Sequence, residues 1–485
     1  MSTASVVLLT LVGYKLLLIG VGLWATSRNR DVTDFFLGGR RLGPLVAGLS
    51  YAASTSSAWV LLGFSGFVYA IGLSALWMVP GICAGYAVVW LYFGPKLRAE
   101  SERHQQITPT DFLLQDASGR SRTAAAWLAA LLILFCFVFY IAAQFDAAGK
   151  ALVEHFAISV SQAVVLGASI VVLYSLLGGF WAVSVTDTIQ AGVMLLVALA
   201  VPYAALSAAG GPSAVWQTLQ ASMPDAYLSF SGGHPVLMFL GFVVGVVGMS
   251  LGALGQPQLL NRLMAVKGDA ERRQGFTIAI CWAVLVFPSM VLLGLAGRAM
   301  LPDLPNGETL FYAAAGQFLP SVLAGIVIAA TLSAVMSTVD SILLAAAAAV
   351  SHDMGIGAGA RSKGLWVPRA VMLGIAVIAV VLTLTLPDTI FNRVLFAWSA
   401  LGAAFGPIAL FRVMGWRVTG EAALLGMLLG FGTTVLFYSL GAMPVSPNSN
   451  VLIQLAHLPG DPFERVAPWF PALLSLRLLS RRLRS

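Results

Sequence analysis

Two stretches of this chain place hard oxygen donors inside runs that are otherwise apolar. "SYAASTSSAW" (50–59) carries Ser50, Ser54, Thr55, Ser56 and Ser57, and "AATLSAVMSTVDSILLA" (329–345) carries Ser337, Thr338, Asp340 and Ser341. Polar groups are costly in hydrocarbon unless something satisfies them. Hydroxyls and free carbonyls clustered with a carboxylate suit a small alkali cation, which needs about five to six oxygens to replace its hydration shell. Ser337, Ser341 and the carbonyl of Ala334 fall at helical spacing on one face, flanked by Thr338 and Asp340. For "SAVMST" alone, small residues that let two helices approach closely are an equal explanation. Two such interruptions, far apart in sequence, favour a site near the midplane of a secondary transporter.

Other chemistry is sparse. The five histidines (His104, His155, His234, His352 and His457) are scattered, with no pair at helical i, i+4 spacing. There is no phosphate-cradling Gly-x-x-x-x-Gly-Lys loop and no Gly-x-Ser-x-Gly nucleophile setting. No enzyme activity, no organic cofactor and no nucleic-acid partner are expected. Ionisable residues inside apolar runs are better guides, because they are expensive there. They are Lys15, Asp146, Asp187 and Asp340, with Lys150 near a span end. Asp146 and Lys150 are four apart and read as an ion pair on one helix face. Cys83, Cys136 and Cys281 all fall in apolar runs without metal-type spacing and read as packing residues.

These residues need elements to hold them, and the composition says which. Hydrophobic residues make up 59% of the chain and charged residues 10%, far below the ~25% charge of a soluble protein. Apolar runs of about 20 residues recur from end to end, each able to cross roughly 30 Å of hydrocarbon. The chain reads as an all-α polytopic membrane protein with about 13 spans: 5–26, 44–71, 73–95, 123–152, 158–178, 183–208, 235–258, 275–299, 320–349, 366–386, 390–413, 420–441 and 465–480. The first run lacks a basic leader and reads as a retained span. The loops then divide sharply by charge. Arg40, Arg41, Lys96, Arg98, Arg262, Arg272, Arg273, Arg412, Arg417 and the arginines of the tail share one side, while only Lys150, Arg298, Arg393 and Arg465 fall on the other. Basic loops face the cytoplasm, so the expected orientation in the cell (inner) membrane has the N-terminus outside and the C-terminus inside. The last span is short and contains Arg477, but crossing is the reading that keeps the basic tail cytoplasmic.

Several motifs in order carry a family resemblance: "DFFLGGRRLGP" (34–44), "LLGGFWAVSVTDTIQA" (176–191), "GQPQLLNRLMA" (255–265), "AVMSTVDS" (334–341) and "AWSALGAAFGP" (397–407). The chain resembles the sodium/solute symporter family, and within it the sodium/proline branch, from the first loop to about residue 440. The resemblance implies a LeuT-like fold of two five-helix inverted repeats, spans 2–6 and 7–11, over about 43–209 and 235–414, with 5–26, 420–441 and 465–480 peripheral. It implies sodium-driven import, with Na⁺, a small solute and the bilayer as partners. Carried over residue by residue, the main sodium site comprises the carbonyls of Ala53, Ser56 and Ala334 and the hydroxyls of Ser337 and Thr338. A second sodium site found in some members corresponds to Asp187, Asp340 and Ser341. The solute is implied to bind near Ser54, Thr55, Ser57, Trp59, Tyr140, Gln144, Met249 and Ala253.

The chain departs from the proline branch at three of these positions. Thr55 stands where that branch has an aspartate, and Met249 and Ala253 stand where it has a tryptophan and a tyrosine. A proline-like amino acid or another carboxylate fits as solute, because zwitterions suit a site of Na⁺ and free helix ends. Two other readings compete: proton coupling through Asp187 or Asp340, and a transporter-like sensor working with a separate signalling partner. The Ser337/Thr338 pair favours sodium, since hydroxyls coordinate Na⁺ without carrying a titratable proton. No kinase-like or other soluble segment follows the last span, which weighs against a sensor. The residues specify no oligomeric state.

Overall fold

After the short helix Val32–Leu37, a proline at the first helical turn and a glycine before it start α1 (Pro44–Ala58), where the missing N–H is no loss. A π-helical segment, Trp59–Phe64, joins it to α2 (Ser65–Ile71). The chain then reverses at Gly72, whose φ of 75° suits glycine. A Cβ there would lie 2.1 Å from the Tyr227 carbonyl, which accepts the Leu73 N–H at 2.9 Å. The remaining principal helices are α3 (Met78–Ala87), α4 (Gly119–Val153), α5 (Val160–Ser175), α6 (Phe180–Ala208), α7 (Val236–Gly248), α8 (Pro257–Ala265), α9 (Asp269–Met300), α10 (Ser321–Ala348), α11 (Trp366–Thr385), α12 (Ile390–Val413), α13 (Gly420–Gly441) and α14 (Trp469–Leu479). This computed structural model describes residues 32–153, 158–176, 179–356, 366–386 and 388–482, with a few helical positions between 12 and 24.

Among the described residues, nine helical stretches are long and apolar enough to span a membrane, fewer than the thirteen expected. Pro44–Arg103 is one of the nine, and its reversal at Gly72 makes it two of the predicted spans. The run at 158–178 shortens to the 16 residues of α5. Span 5–26, with Lys15, lies almost wholly outside the described residues.

The last predicted span has a different construction. Helix α14 has 11 residues, about 16 Å at ~1.5 Å per residue, roughly half the hydrocarbon thickness. Yet Arg481 and Arg482 pair antiparallel with Arg417 and Trp416, at the N-terminal end of α13, while residue 442 leaves its C-terminal end. The segment 442–482 therefore travels the full length of α13, using the short helices Val451–Ala456 and Pro462–Arg465 before α14.

Burial sorts the bundle into centre and rim. Within their spanning windows, 94% of α12 and 83% of the Val322–Asp353 stretch are buried, against 28% of α11 and 33% of α13. The helices at the centre are thus α1, α10 and α12. Glycines permit the tightest contact, where the 3₁₀ turn Met249–Gly255 that extends α7 crosses α12. A Cβ on Gly255 would sit 2.1 Å from the Leu401 carbonyl, and one on Gly402 would sit 2.5 Å from the Gly252 Cα.

At the basic side, backbone and side chains knit the loops together. Leu42 N–H donates to Ala265 O at 3.0 Å, and Lys267 N–H donates to Leu42 O at 3.1 Å. Arg40 donates to Ser101 Oγ and O, Met264 O and Gln106 O. Here the segment entering α1 is fastened to the segment leaving α8. Nearby, Asp111 accepts from the Ile107 N–H and lies 2.8 Å from His352 Nε2, just beyond the end of α10. Burial alone would raise the Asp111 carboxyl, but the hydrogen bond and charge of His352, with the Ile107 and Thr108 N–H groups, hold it below its usual value.

Because backbone blocks the space at Gly255, Gly255→Ala is expected to destabilise by about 1–3 kcal/mol. A thermal melt of detergent-purified protein should register the loss. Gly316→Ala, where a Cβ meets nothing within 4 Å, should leave the melt unchanged.

Candidate functional site

Helix α1 breaks where the hydroxyls concentrate. Ser57 has φ 52° and ψ −170°, a non-helical conformation inside the helix, and a left-handed φ that non-glycine residues seldom adopt. Local polar groups support it. The Trp59 N–H donates to Ser57 Oγ at 3.0 Å, and the Ala58 N–H donates to Gln144 Oε1 at 3.3 Å. Interrupting the ladder at this point frees carbonyls just upstream, and freed carbonyls inside a membrane must find another partner.

The hydroxyls of the stretch face three ways. Thr55 Oγ1 donates to the carbonyl of Tyr51 at 2.7 Å, back along its own helix. Ser56 Oγ is buried without a hydrogen-bond partner. Ser50 and Ser54 both turn to a buried charge. Ser50 Oγ donates to Asp187 Oδ2 at 2.7 Å, Ser54 Oγ lies 3.4 Å from the same oxygen, and Ser54 Oγ is 3.1 Å from Ser341 Oγ.

The charge opposite Asp187 is Arg262, on α8. Its Nη2 donates to Asp187 Oδ2 at 2.7 Å and Ser341 Oγ at 2.6 Å, while Nε donates to Ser50 Oγ at 2.7 Å. Nη1 donates to Gln258 O at 2.5 Å. The guanidinium carbon also lies 5.9 Å from the Phe180 ring centroid, within cation–π range. Arg262 and Asp187 are 1% and 0% exposed. One guanidinium thus joins α1, α6, α8 and α10. Sequence reading placed Arg262 among basic loop residues, because its nearest apolar neighbours are short runs and its partners are far away in sequence.

Of the main sodium set, Ala53, Ser56, Ala334, Ser337 and Thr338 are all fully buried, and α1 packs along α10. The Ser54–Ser341 hydrogen bond holds the two helices together within about one turn of these donors. Ser337 Oγ donates to Ala334 O at 3.0 Å, so a hydroxyl and a carbonyl of the set already converge. Thr338 Oγ1 is buried with no hydrogen-bond partner. The second set, Asp187, Asp340 and Ser341, divides between two partners. Asp187 and Ser341 converge on Arg262, whereas Asp340 accepts from Ser175 of α5. Adjacent positions on α10 point apart, which helical geometry imposes on residues 340 and 341.

Thr55, Trp59, Met249 and Ala253, four of the eight expected solute residues, line a central cavity of about 30 Å³. Tyr86, Phe287 and Trp398 complete its aromatic walls and were missed from sequence, where buried aromatics look alike. Ser54 turns away to Asp187 and Ser341, while Ser57 and Gln144 serve the helix break. Tyr140 packs edge-on against Trp398 at 6.5 Å, its hydroxyl buried and unpartnered.

Above this cavity lies an aromatic layer. Phe391 stacks on Trp59 at 5.9 Å and on Phe67 at 4.4 Å. Trp59 faces the small cavity, while Phe67 and Phe391 face a second one of about 570 Å³ beyond. The expected Asp146–Lys150 pair is present at 2.9 Å, and Lys150 also binds Glu308 at 2.7 Å. Glu308 Oε1 accepts the Phe391 N–H at 3.0 Å, satisfying an orphan donor in the first turn of α12. The ion pair therefore anchors a residue of the layer.

Asp111, His352 and Asp353 could offer ligand atoms within 4.8 Å of one another. His352 and Asp111 are hydrogen-bonded together, however, and Asp353 accepts from Thr108 at 2.6 Å, so the group is a latch between loop and helix end.

Known proteins share the family and the fold. The Sodium:solute symporter family matches over residues 35–430. The Sodium/proline symporter of Escherichia coli (strain K12) is 32% identical over 441 residues, 88% of this chain and 86% of that protein. The high-affinity proline transporter PutP of Bacillus subtilis (strain 168) is 30% identical over 87% of this chain and 90% of its own length. Among solved structures, a Na⁺-coupled sialic acid symporter in a substrate-bound outward-open state matches with a TM-score of 0.79 at 16% identity, covering 100% of both chains. A nucleobase-cation-symport-1 family transporter in a closed conformation matches at 0.57 with 15% identity, over 92% of this chain and 94% of that one. Both have the LeuT-like fold.

The buried pair carries a test. Asp187→Asn or Arg262→Gln alone leaves one charge uncompensated and is expected to cost about 3–5 kcal/mol. The D187N/R262Q double variant should lose less than either single change in the same thermal melt. Additive losses would mean that the two groups act independently.

Proposed function

This chain belongs to the sodium:solute symporter family, and from that membership we propose that it imports a proline-like zwitterionic amino acid with one sodium ion. It is a multi-pass membrane transporter, not an enzyme; sodium is the coupling ion, and the family uses no organic cofactor. The relatives named for proline support the solute class. The aromatic cavity beside the helix break holds only about 30 Å³, far below the ~300–1,000 Å³ of small-molecule sites, so its walls must part to admit a solute.

One observation carries the ion assignment. The break at Ser57 lies against α10, where the Thr338 hydroxyl is buried without a partner. Carbonyls of Ala53, Ser56 and Ala334 with the hydroxyls of Ser337 and Thr338 form an all-oxygen set of about the right number. Arg262 already supplies a positive charge to Asp187 and Ser341, which supports a single sodium ion rather than two. Asp187 then serves the guanidinium, not a second Na⁺.

The inverted repeats are assigned to 43–209 and 235–414. Their first helices are each interrupted, α1 at Ser57 and α7 by the 3₁₀ turn Met249–Gly255, as expected for a pair of discontinuous helices around a midplane site. The basic side is placed in the cytoplasm, with the N-terminus outside and the C-terminus inside. On that placement the Arg40 network closes the inner entrance. The roughly 570 Å³ cavity opens outward above the aromatic layer. Alternating access requires these two closures to exchange. Ion and solute favour the same arrangement of α1, so each raises the affinity for the other. Charge movement alone contributes ~2.3 kcal/mol per 100 mV.

Uptake of labelled L-proline and other amino acids into proteoliposomes tests the proposal. Accumulation should require an inward Na⁺ gradient; accumulation that ignores Na⁺ and follows an imposed pH gradient would overturn sodium coupling. The S337A/T338A variant should raise the Na⁺ concentration for half-maximal uptake by about tenfold or more, since a lost contact to a charged group is worth about 1.5–3 kcal/mol. Unchanged sodium dependence would refute the assigned donors.

A further inference from the structure

The stretch "GQPQLLNRLMA" (255–265) holds two glutamines to which neither ion nor solute is assigned. Gln256 and Gln258 are both fully buried, and a buried amide is costly unless it is hydrogen-bonded. Gln256 sits where the 3₁₀ turn Met249–Gly255 ends. Its Nε2 donates to Gly252 O at 3.4 Å and to Trp398 O at 3.3 Å. Its Oε1 accepts from Gln258 Nε2 at 3.1 Å. Carbonyls only accept, so the NH₂ end of Gln256 must face them. The oxygen end is then left for Gln258, which must donate. The amide has one orientation, with both donors and its oxygen in use.

The contacts continue in the other direction. The Gln258 main-chain carbonyl accepts from Arg262 Nη1 at 2.5 Å. Arg262 holds Ser50 of α1 and Ser341 of α10, the two helices that carry the donors assigned to sodium. At the far end, Gly252 and Trp398 are pressed together: a Cβ on Gly252 would lie 1.8 Å from Trp398 Cδ1. Trp398 and Ala253, the residue after Gly252, line the central cavity, and neither glutamine does. Gln256 therefore touches the wall of that cavity from behind.

We propose that Gln256 is a positioning residue that couples the ion site to the solute site. The proposal rests on the sodium-coupled import of a zwitterionic amino acid proposed above. A shift of α1 against α10 on ion binding displaces Arg262, and Gln258 and Gln256 carry that displacement to the Gly252–Trp398 contact between α7 and α12. Ion occupancy thereby sets the wall that must part for the solute, and by linkage the solute sets the affinity for the ion.

The test is equilibrium binding of labelled L-proline to the full chain in lipid nanodiscs, in choline and in saturating sodium buffer. For wild type, Na⁺ should tighten binding by about 5- to 150-fold, the usual range of coupling between two sites. Gln256→Met keeps the length of the side chain without its hydrogen bonds. It should cut that ratio by about fivefold, the scale of one lost hydrogen bond, while affinity in choline stays within about twofold. Gln258→Met leaves the Gln256 bonds to Gly252 and Trp398 in place and removes only the link toward Arg262, so it should lower the ratio as well, and it decides the matter if the first variant fails to fold. A role in packing alone would weaken proline binding equally in both buffers. An unchanged ratio in either folded variant overturns the relay and leaves symport standing. Wild type that binds proline equally in both buffers, or not at all, overturns the reading of function above, and the relay with it.

Discussion

Four helices meet on one buried guanidinium. Arg262 binds Asp187 on α6, Ser50 on α1 and Ser341 on α10 from its own place on α8. A charge in this position is tolerable only because each bond is made inside protein and not against lipid. The arrangement therefore dictates much around it. Ser50 and Ser54 must face α6, so that the next hydroxyls along α1 face elsewhere. The Ser54–Ser341 contact in turn sets the distance between α1 and α10. Those two helices carry every donor assigned to sodium. The tethered cation thus fixes the frame that carries the proposed sodium donors.

The break at Ser57 is the second constraint, and it works in the opposite sense. A continuous α1 would satisfy its own backbone and leave nothing for an ion or solute. The left-handed turn at Ser57 is held by Gln144 and by its own hydroxyl, and the buried network lies below it. Strain of this kind persists only where the surroundings determine it. Here the network supplies that rigidity on one side, while the aromatic layer of Trp59, Phe67 and Phe391 closes the other. Lys150 and Glu308 hold the start of α12 under that layer. A polar anchor thereby decides how Phe391 of the aromatic layer is seated.

Access follows from the same geometry. The basic end is fastened by backbone bonds between Leu42, Ala265 and Lys267 and by the four acceptors of Arg40. At the other end the stacked rings of Trp59, Phe391 and Phe67 link the lining of a small cavity to that of a large one. Stacked rings part by rotation of side chains, whereas the basic end must break several hydrogen bonds together. The two closures therefore differ in kind, and the state described is held shut more firmly at the basic end.

Much of this was legible in the residues. Long apolar runs determined a helical membrane protein, because only closed hydrogen-bond ladders survive in hydrocarbon. Charge asymmetry divided the loops into two sides, the hydroxyl clusters marked α1 and α10, and the ordered motifs marked the family. Local patterns could reveal these because each depends on neighbours in sequence. Tertiary structure alone decided which way each donor points: that Ser54 turns to Asp187 and Ser341, that Asp340 and Ser341 diverge, and that Arg262 belongs to the core. It also decided that residues 442–482 run back along α13 through short helices, a feature invisible to a search for long apolar runs. Side-chain partners up to 212 positions apart, as for Arg262 and Ser50, are chosen by helix packing, and no spacing rule along the chain encodes them.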